Sequence, residues 1–181
     1  MTSSDLRFRE VYVSYFNLVH AYCRRRTDPD RAEDATAEVF LVAWRKIDQV
    51  PDGDGALPWL YRVAYGEVNN LWRGVSRQKR LREKLNRIEV EVAPSPEEYV
   101  VVNQEARLII EAMNQIRKSH QEVLRLSVWE GLSGSDLAAA LDVSADAAKQ
   151  RLSRARRALV SAYNHLDKDQ SSIVARKGGA W

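Results

Sequence analysis

Cysteine is nearly absent from the 181 residues, and the single Cys23 excludes an internal disulfide framework and any cysteine-based zinc site. The three histidines, at 20, 120 and 165, are too scattered to form a metal cluster. Eight glycines and five prolines are few for this length, which disfavours a many-stranded β fold. No apolar run approaches the roughly 18 residues that a membrane-crossing helix needs. The opening residues, MTSSDLRFRE, lack the apolar core of a secretory signal. These absences predict a soluble, cytoplasmic protein that inserts in no membrane and holds no metal or cofactor. Hydrophobic residues make up 45%, so a core is available, and the length fits one ordinary domain or two small ones.

What the chain does have is charge, distributed in blocks. The net charge of +3 hides a segment of net +6 at 71–87, one of −5 at 88–106, and one of +5 without any acid at 147–166. Two basic blocks around an acidic one are the pattern of a protein that touches a polyanion twice. Two solvated helix faces would give the same charges, and charge alone does not separate the two.

Apolar spacing predicts helices throughout. Phe8, Val11, Tyr15, Val19 and Tyr22 mark one over 5–26, broken at Thr27-Asp28-Pro29. Asp30 then starts a second, with Glu33 placed to close a capping box, and Ala32, Thr36, Val39, Phe40, Ala43 and Ile47 on its buried side. It should end near Gln49, ahead of a loop over 50–55. A third begins at Leu57-Pro58 and runs to Leu85, burying Leu60, Val63, Ala64 and Leu71. After the 91–98 stretch EVAPSPEE, a helix over 97–117 carries Val102, Ala106, Ile109, Met113 and Ile116 on one face. Three serine-opened helices follow: Ser119 with Glu122, Ser133 with Asp136, and Ser144 ahead of a helix to about Leu166. The fold expected is all-α: a helical domain over 1–87, an acidic linker over 88–98 and a helix-turn-helix domain over 99–166. The polar tail, 167–181, is expected to be disordered, and its Trp181 has no core to join.

The segment GLSGSDLAAALDVSADAAKQRLSRARRAL, 131–159, carries the most information. Leu132, Leu137, Ala138, Leu141 and Val143 surround a break at Asp142, where a left-handed residue is needed and aspartate tolerates it. On the last helix Ala148, Leu152, Ala155 and Leu159 form the buried stripe. Opposite lie Asp146, Gln150, Ser153 and Arg157, flanked by Lys149 and Arg154. Gln can read base edges and Arg or Lys can hold phosphate or guanine, so this face suits the major groove.

In the first domain the second helix turns Asp34, Glu38, Leu41 and Arg45 outward, beside Ala37 and Trp44. Leu and Trp among carboxylates read either as a docking surface or as packing on a neighbouring helix. The third helix shows Arg62, Gly66, Asn69 and Arg73 outward, flanked by Tyr65 and Trp72, with Asn70 adjoining and Arg77 and Arg80 continuing a basic track. Aromatics interleaved with Asn and Arg suit unstacked bases. Gly66 costs ~1 kcal/mol relative to alanine in mid-helix, and is either a point of close nucleic-acid approach or a tolerated defect. Glu67 falls within the apolar stripe without a role.

The order of these parts resembles a known family. RAEDATAEVFLVAWRKI (31–47) followed by LPWLYRVAYGEVNNLWR (57–73) looks like region two of bacterial sigma factors, and SHQEVLRLSVWEGLSGSDLAAALDVSADAAKQRLSRARRAL (119–159) looks like region four. With a short linker and no domain between, residues 8–166 are similar to the extracytoplasmic-function group. The resemblance implies that Asp34, Glu38, Leu41 and Arg45 dock on the β′ clamp helices of RNA polymerase core, whose β flap is a further contact. It implies that the segment from Trp59 to Arg73, with Arg62, Tyr65, Asn69, Asn70, Trp72, Arg73, Arg77 and Arg80, captures the melted −10 element. Ser144, Asp146, Lys149, Gln150, Ser153, Arg154 and Arg157 would then read the −35 element of promoter DNA. The acidic linker would enter the polymerase channel in place of nucleic acid, and an anti-sigma factor is a further partner the resemblance allows. The chain departs from the usual pattern at Ala37, Tyr65-Gly66, Asp142 and Ala147-Ala148.

Two other function classes compete. A free-standing helix-turn-helix regulator with an N-terminal sensor domain would bind duplex DNA tightly alone. An enzyme is argued against by the lack of a nucleophile–base pair, a glycine-rich phosphate loop or metal-ligand spacing. The expected function is therefore a non-catalytic promoter-specificity subunit.

Overall fold

Thr2 and Asp5 open the first helix with a reciprocal cap: the Thr2 amide donates to Asp5 Oδ2 at 2.7 Å, and the Asp5 amide donates to Thr2 Oγ1 at 3.2 Å. In the computed structural model, the backbone is described for residues 2–85 and 104–178 and the side chains for 2–74 and 105–168. The expected linker over 88–98 and the terminal Trp181 lie outside the described residues. Among these residues the structure is helical, with no strand, and the chain divides into two units, Met1–Ser95 and Pro96–Trp181.

The first unit contains α1 (Ser3–Arg24), α2 (Pro29–Arg45) and α3 (Ala56–Leu85), packed pairwise. The sequence places the start of α2 at Asp30 with Glu33 as cap partner; instead Asp28 is the cap, its Oδ1 accepting from the Arg31 amide at 3.1 Å. The reason is Pro29. Its fixed φ and missing N–H suit the first helical position, which moves the cap two residues upstream, from Asp30 to Asp28. α2 ends at Arg45 rather than near Gln49, and a 3₁₀ turn, Ile47–Gln49, finishes the segment. Its expected inner face is the buried one: Ala32, Thr36, Val39, Phe40, Ala43 and, in the turn, Ile47, joined by Ala35.

α3 starts at Ala56, so Pro58 sits in the first turn, where its missing N–H has no helical partner to lose. Its buried stripe is Ala56, Leu60, Ala64 and Val68 with Trp59 and Tyr61, while Val63 and Leu71 are only half-buried. The two tyrosine rings Tyr22 and Tyr61 stack at 5.1 Å, and the buried Arg26 guanidinium lies 3.5 Å from the Tyr22 ring centroid. The loop between α2 and α3 is tied to α1. Arg7 Nη2 pairs with Asp52 Oδ1 at 2.7 Å and also donates to the Val50 carbonyl, and Tyr15 OH donates to the Gly53 carbonyl at 3.2 Å.

The second unit contains α4 (Gln104–Gln115), α5 (Lys118–Val128), α6 (Gly134–Leu141) and α7 (Ala145–Gly178). Of the predicted face of α4, Ile116 is buried and Met113 packs against the core, whereas Ile109 is 45% exposed and Val102 lies outside the described residues; Leu108 and Ala112, which the spacing did not pick out, are buried. The cluster Ile116, Val123, Leu124 and Ala155 is closed by Met113, Leu141, Leu152, Ala158, Leu159 and Ala162.

α5 has no side-chain cap, because it begins at Lys118, one residue before Ser119, and Glu122 is buried. The expected Ser119–Glu122 box is therefore not formed; Gln121 Nε2 instead donates to the Ile116 carbonyl at 3.0 Å across the corner. Ser133 occupies a cap position without a side-chain bond, whereas Ser144 Oγ accepts from the Ala147 amide at 3.2 Å. Asp142 takes the left-handed conformation expected of it, φ 53° and ψ 51°, and ends α6. The Val143 amide then reaches back to the Ala138 carbonyl at 3.0 Å, which turns the chain into α7. α7 does not stop near Leu166. Its backbone stays helical to Gly178, since no glycine or proline interrupts 145–177 and polarity alone is no stop signal.

The two candidate caps of α2 separate cleanly by mutation. Asp28→Ala should cost about 1 kcal/mol in urea unfolding of the first unit, and Glu33→Ala less than about 0.5 kcal/mol. A larger loss from Glu33→Ala than from Asp28→Ala would show that the Asp30–Glu33 box is the correct one.

Candidate nucleic-acid interface

The buried stripes decide which residues each helix turns outward. On α2 Asp34, Glu38 and Arg45 are exposed, and Leu41 and Trp44 are 45% and 44% exposed. Their apolar surfaces differ in kind. Trp44 packs edge-on against Phe8 with ring centroids 5.0 Å apart, so part of it belongs to the α1–α2 contact. Leu41 stands among charged side chains on the open surface. Sequence spacing did not show the ring ladder behind it: Phe8, Tyr12, Phe16 and His20 follow at four-residue steps along α1, with Phe40 of α2 reaching Tyr12 at 4.8 Å and Phe16 at 5.9 Å.

On α3 the outward face is Arg62, Gly66, Asn69, Asn70 and Arg73; Asn70, Arg73 and the Tyr65 ring are exposed, and Arg62, Gly66, Asn69 and Trp72 are half-buried. Trp59, at the head of the segment the resemblance implies, is instead buried with the core. A short polar network organises the exposed side. Asn70 Nδ2 donates to Glu67 Oε2 at 3.3 Å, Arg73 Nη2 donates to Asn70 Oδ1 at 2.5 Å, and Arg73 Nε donates to the Asn69 carbonyl at 3.4 Å. Glu67 thereby acquires a role. It sits half-buried at the rim of the stripe and fixes the orientation of Asn70, which in turn directs Arg73. The side chains of Arg77 and Arg80 lie outside the described residues, although α3 continues past them.

On α7 Ala148 and Ala155 are buried, and on the opposite side Asp146, Lys149, Gln150, Ser153, Arg154 and Arg157 line one shallow open groove. All six are exposed. Ser144 differs from them because its hydroxyl caps the helix. Arg151 and Arg156 are also exposed, on the flanks. The groove thus brings together three cations, one carboxylate, an amide and a hydroxyl, a set able to bind phosphate and to read base edges.

Among the described residues no group of three or more His, Cys, Asp or Glu side chains is placed to hold a metal ion, and no helix is long and apolar enough to cross a membrane. The family model Sigma-70 region 2 matches residues 11–78, and the model Sigma-70, region 4 matches residues 106–159. The chain is 30% identical over 133 residues to the probable RNA polymerase sigma factor RfaY of Xanthomonas campestris pv. campestris, covering 71% of this chain and 33% of that protein's length. It is 23% identical over 157 residues to the ECF RNA polymerase sigma-E factor of Haemophilus influenzae, covering 82% of this chain and 83% of the relative. Among solved structures, the sigma factor RpoE in complex with the anti-sigma factor NepR from Bartonella quintana matches with a TM-score of 0.59 at 22% identity, over 87% of this chain and 96% of that one. At that identity the likeness speaks to the fold.

Proposed function

Because the chain belongs to the sigma-70 family, in the extracytoplasmic-function group of RNA polymerase sigma factors, we propose that it is a dissociable promoter-specificity subunit with three working faces. The α2 face of Asp34, Glu38, Leu41 and Arg45 docks on the β′ clamp helices of core polymerase. The α3 face of Arg62, Tyr65, Asn69, Asn70, Trp72 and Arg73, with Arg77 and Arg80 beyond, captures the melted −10 strand. The α7 face reads the −35 element in duplex form, with Ser144 fixing the start of the reading helix. The second unit also meets the β flap, and an anti-sigma factor is a further partner, as NepR is for the RpoE relative.

The observation that carries this reading is chemical. The chain turns three different outer faces to solvent, and each suits one partner. Leucine among carboxylates suits a protein surface with basic residues. Rings and amides suit unpaired bases. A cationic groove containing Gln150 suits the major groove, where an amide pairs with adenine. None of the three sets pairs a nucleophile with a base, and sigma factors are initiation factors rather than enzymes.

Run-off transcription with purified core polymerase tests the assignment. Promoter-specific transcripts should appear only when this chain is added; tight promoter binding by the chain alone, with no gain in transcription, would identify a free-standing regulator instead. Leu41→Arg should lower core binding at least tenfold, about 1.4 kcal/mol or more, with helicity unchanged by circular dichroism.

The register of the reading helix has its own test. Gln150→Ala should shift the preferred upstream sequence at one base position, with ~1–3 kcal/mol lost there. Arg151→Ala and Arg156→Ala should weaken all promoters alike and flatten the salt dependence. If a promoter library transcribed by the Gln150→Ala holoenzyme shows only the uniform loss of the arginine variants, the proposed register is wrong.

A further inference from the structure

In the proposed function α2 docks on polymerase and α3 captures the melted strand, and residues 46–55 join the two helices. This connector has little regular structure of its own. It holds two single 3₁₀ turns, Ile47–Gln49 and Gly53–Gly55, and Gly53 takes a φ of 58°, which glycine reaches without strain. Its ties come from α1. Arg7 bridges two acceptors with one nitrogen, Nη2 donating to the Val50 carbonyl and to Asp52 Oδ1, the latter at 2.7 Å. About two turns along α1, Tyr15 OH donates to the Gly53 carbonyl at 3.2 Å.

These bonds differ in weight. The Asp52 side chain is 92% exposed, so its ion pair with Arg7 contributes little in water. Val50 is buried, and the bond to its carbonyl is charge-assisted and partly shielded from solvent. Phe8, the next residue, faces α2 instead: its ring meets Trp44 edge-on at 5.0 Å and Phe40 at 6.5 Å. One turn of α1 thus holds α2 with Phe8 and the lead into α3 with Arg7. That turn precedes residue 11, where the match to Sigma-70 region 2 begins, so the family likeness assigns it no role.

We infer that Arg7 is a positioning residue for promoter opening: by tying down the connector it fixes where α3 begins relative to the docking face of α2. Packing sets the rotation of α3 about its axis, and the connector sets its placement along that axis. Arg7 acts through Val50 and Asp52, not by contact with DNA. The inference rests on the proposed α2 and α3 faces and adds the part that holds them in one geometry. Core binding engages α2 alone, and the closed complex engages the second unit on duplex. Opening differs, because polymerase on α2 and strand on α3 must then be held at once, and a loose joint between them costs orientation. Loss of Arg7 therefore spares each separate binding step and slows the joint one.

Holoenzymes carrying Arg7→Ala, Arg7→Lys, Tyr15→Phe or Arg9→Ala test this against wild type, with core polymerase and a duplex promoter bound by the wild-type holoenzyme as probes. Core affinity, closed-complex affinity and the rate of opening, followed by permanganate reactivity of the −10 thymines, are read separately. Arg7→Ala should open the promoter about tenfold more slowly, with both affinities as in wild type. Those affinities also show that the variant is folded. Arg7→Lys keeps a cationic donor for the Val50 carbonyl and should recover most of the rate. Tyr15→Phe loses one neutral bond and should slow opening about threefold. Arg9 is exposed in the same turn, so Arg9→Ala removes an equal charge and should open as wild type does. Opening by Arg7→Ala at the wild-type rate would overturn the proposal. A parallel loss of core affinity would overturn it too, by making Arg7 a support of the docking face. An equal slowing in Arg9→Ala would do the same, by showing that charge matters and position does not. If the wild-type holoenzyme binds the duplex and never opens it, the α3 reading fails, and the role of Arg7 with it.

Discussion

Alanine at the helix contacts is the constraint on which the rest of the molecule depends. Ala32, Ala35, Ala43 and Ala64 in the first unit, and Ala112, Ala148 and Ala155 in the second, are all at most 1% exposed. A methyl group at each contact lets two backbones approach closely and locks the rotation of each helix about its axis. Once that rotation is set, the outward residues follow. Ala64 places Asn70 and Arg73 on the exposed side of α3, and Ala148 with Ala155 turns Gln150 and Ser153 to solvent. Enlarging one of these alanines to valine would typically cost about 1–3 kcal/mol. It would also rotate or displace a reading face, which matters more here.

The three outer faces divide the work by charge and shape. The α2 face is acidic with one exposed leucine, and the α7 groove holds Lys149, Arg154 and Arg157 against one Asp146. The α3 face lies between them in character, with Arg73 directed by the Asn70 amide oxygen and the Asn69 carbonyl. A chain of net charge +3 can therefore present opposite local fields to a protein partner and to nucleic acid. Long-range attraction to DNA is weak for such a charge, so selectivity falls to the particular side chains on each face.

Much of this was legible in the sequence where one local rule acted alone. The α2 and α7 stripes followed from spacing, and the left-handed Asp142 followed from the need to end α6 without glycine. Reading failed where two rules competed. Proline and aspartate both lay near the start of α2, and Pro29 decided in favour of Asp28. On α4, Ile109 and Leu108 were equally apolar, yet Leu108 is buried and Ile109 is 45% exposed. On α3, Trp59 heads the segment that the resemblance assigns to strand capture but packs inside, 8% exposed. Contacts of long sequence separation, such as Arg7 with Asp52, left no local trace at all.

Hydrogen exchange followed by mass spectrometry on the full chain tests the central claim, that the faces opposite the alanine contacts are the working surfaces. Exchange would be compared for the free chain, the chain bound to core polymerase, and the holoenzyme on an open promoter. Side-chain contacts slow the amides beneath them, so core binding should protect the 34–45 stretch of α2. The promoter should then add protection over 62–73 of α3 and 146–157 of α7. Protection that appears instead on other segments, with these three unchanged, would contradict the account.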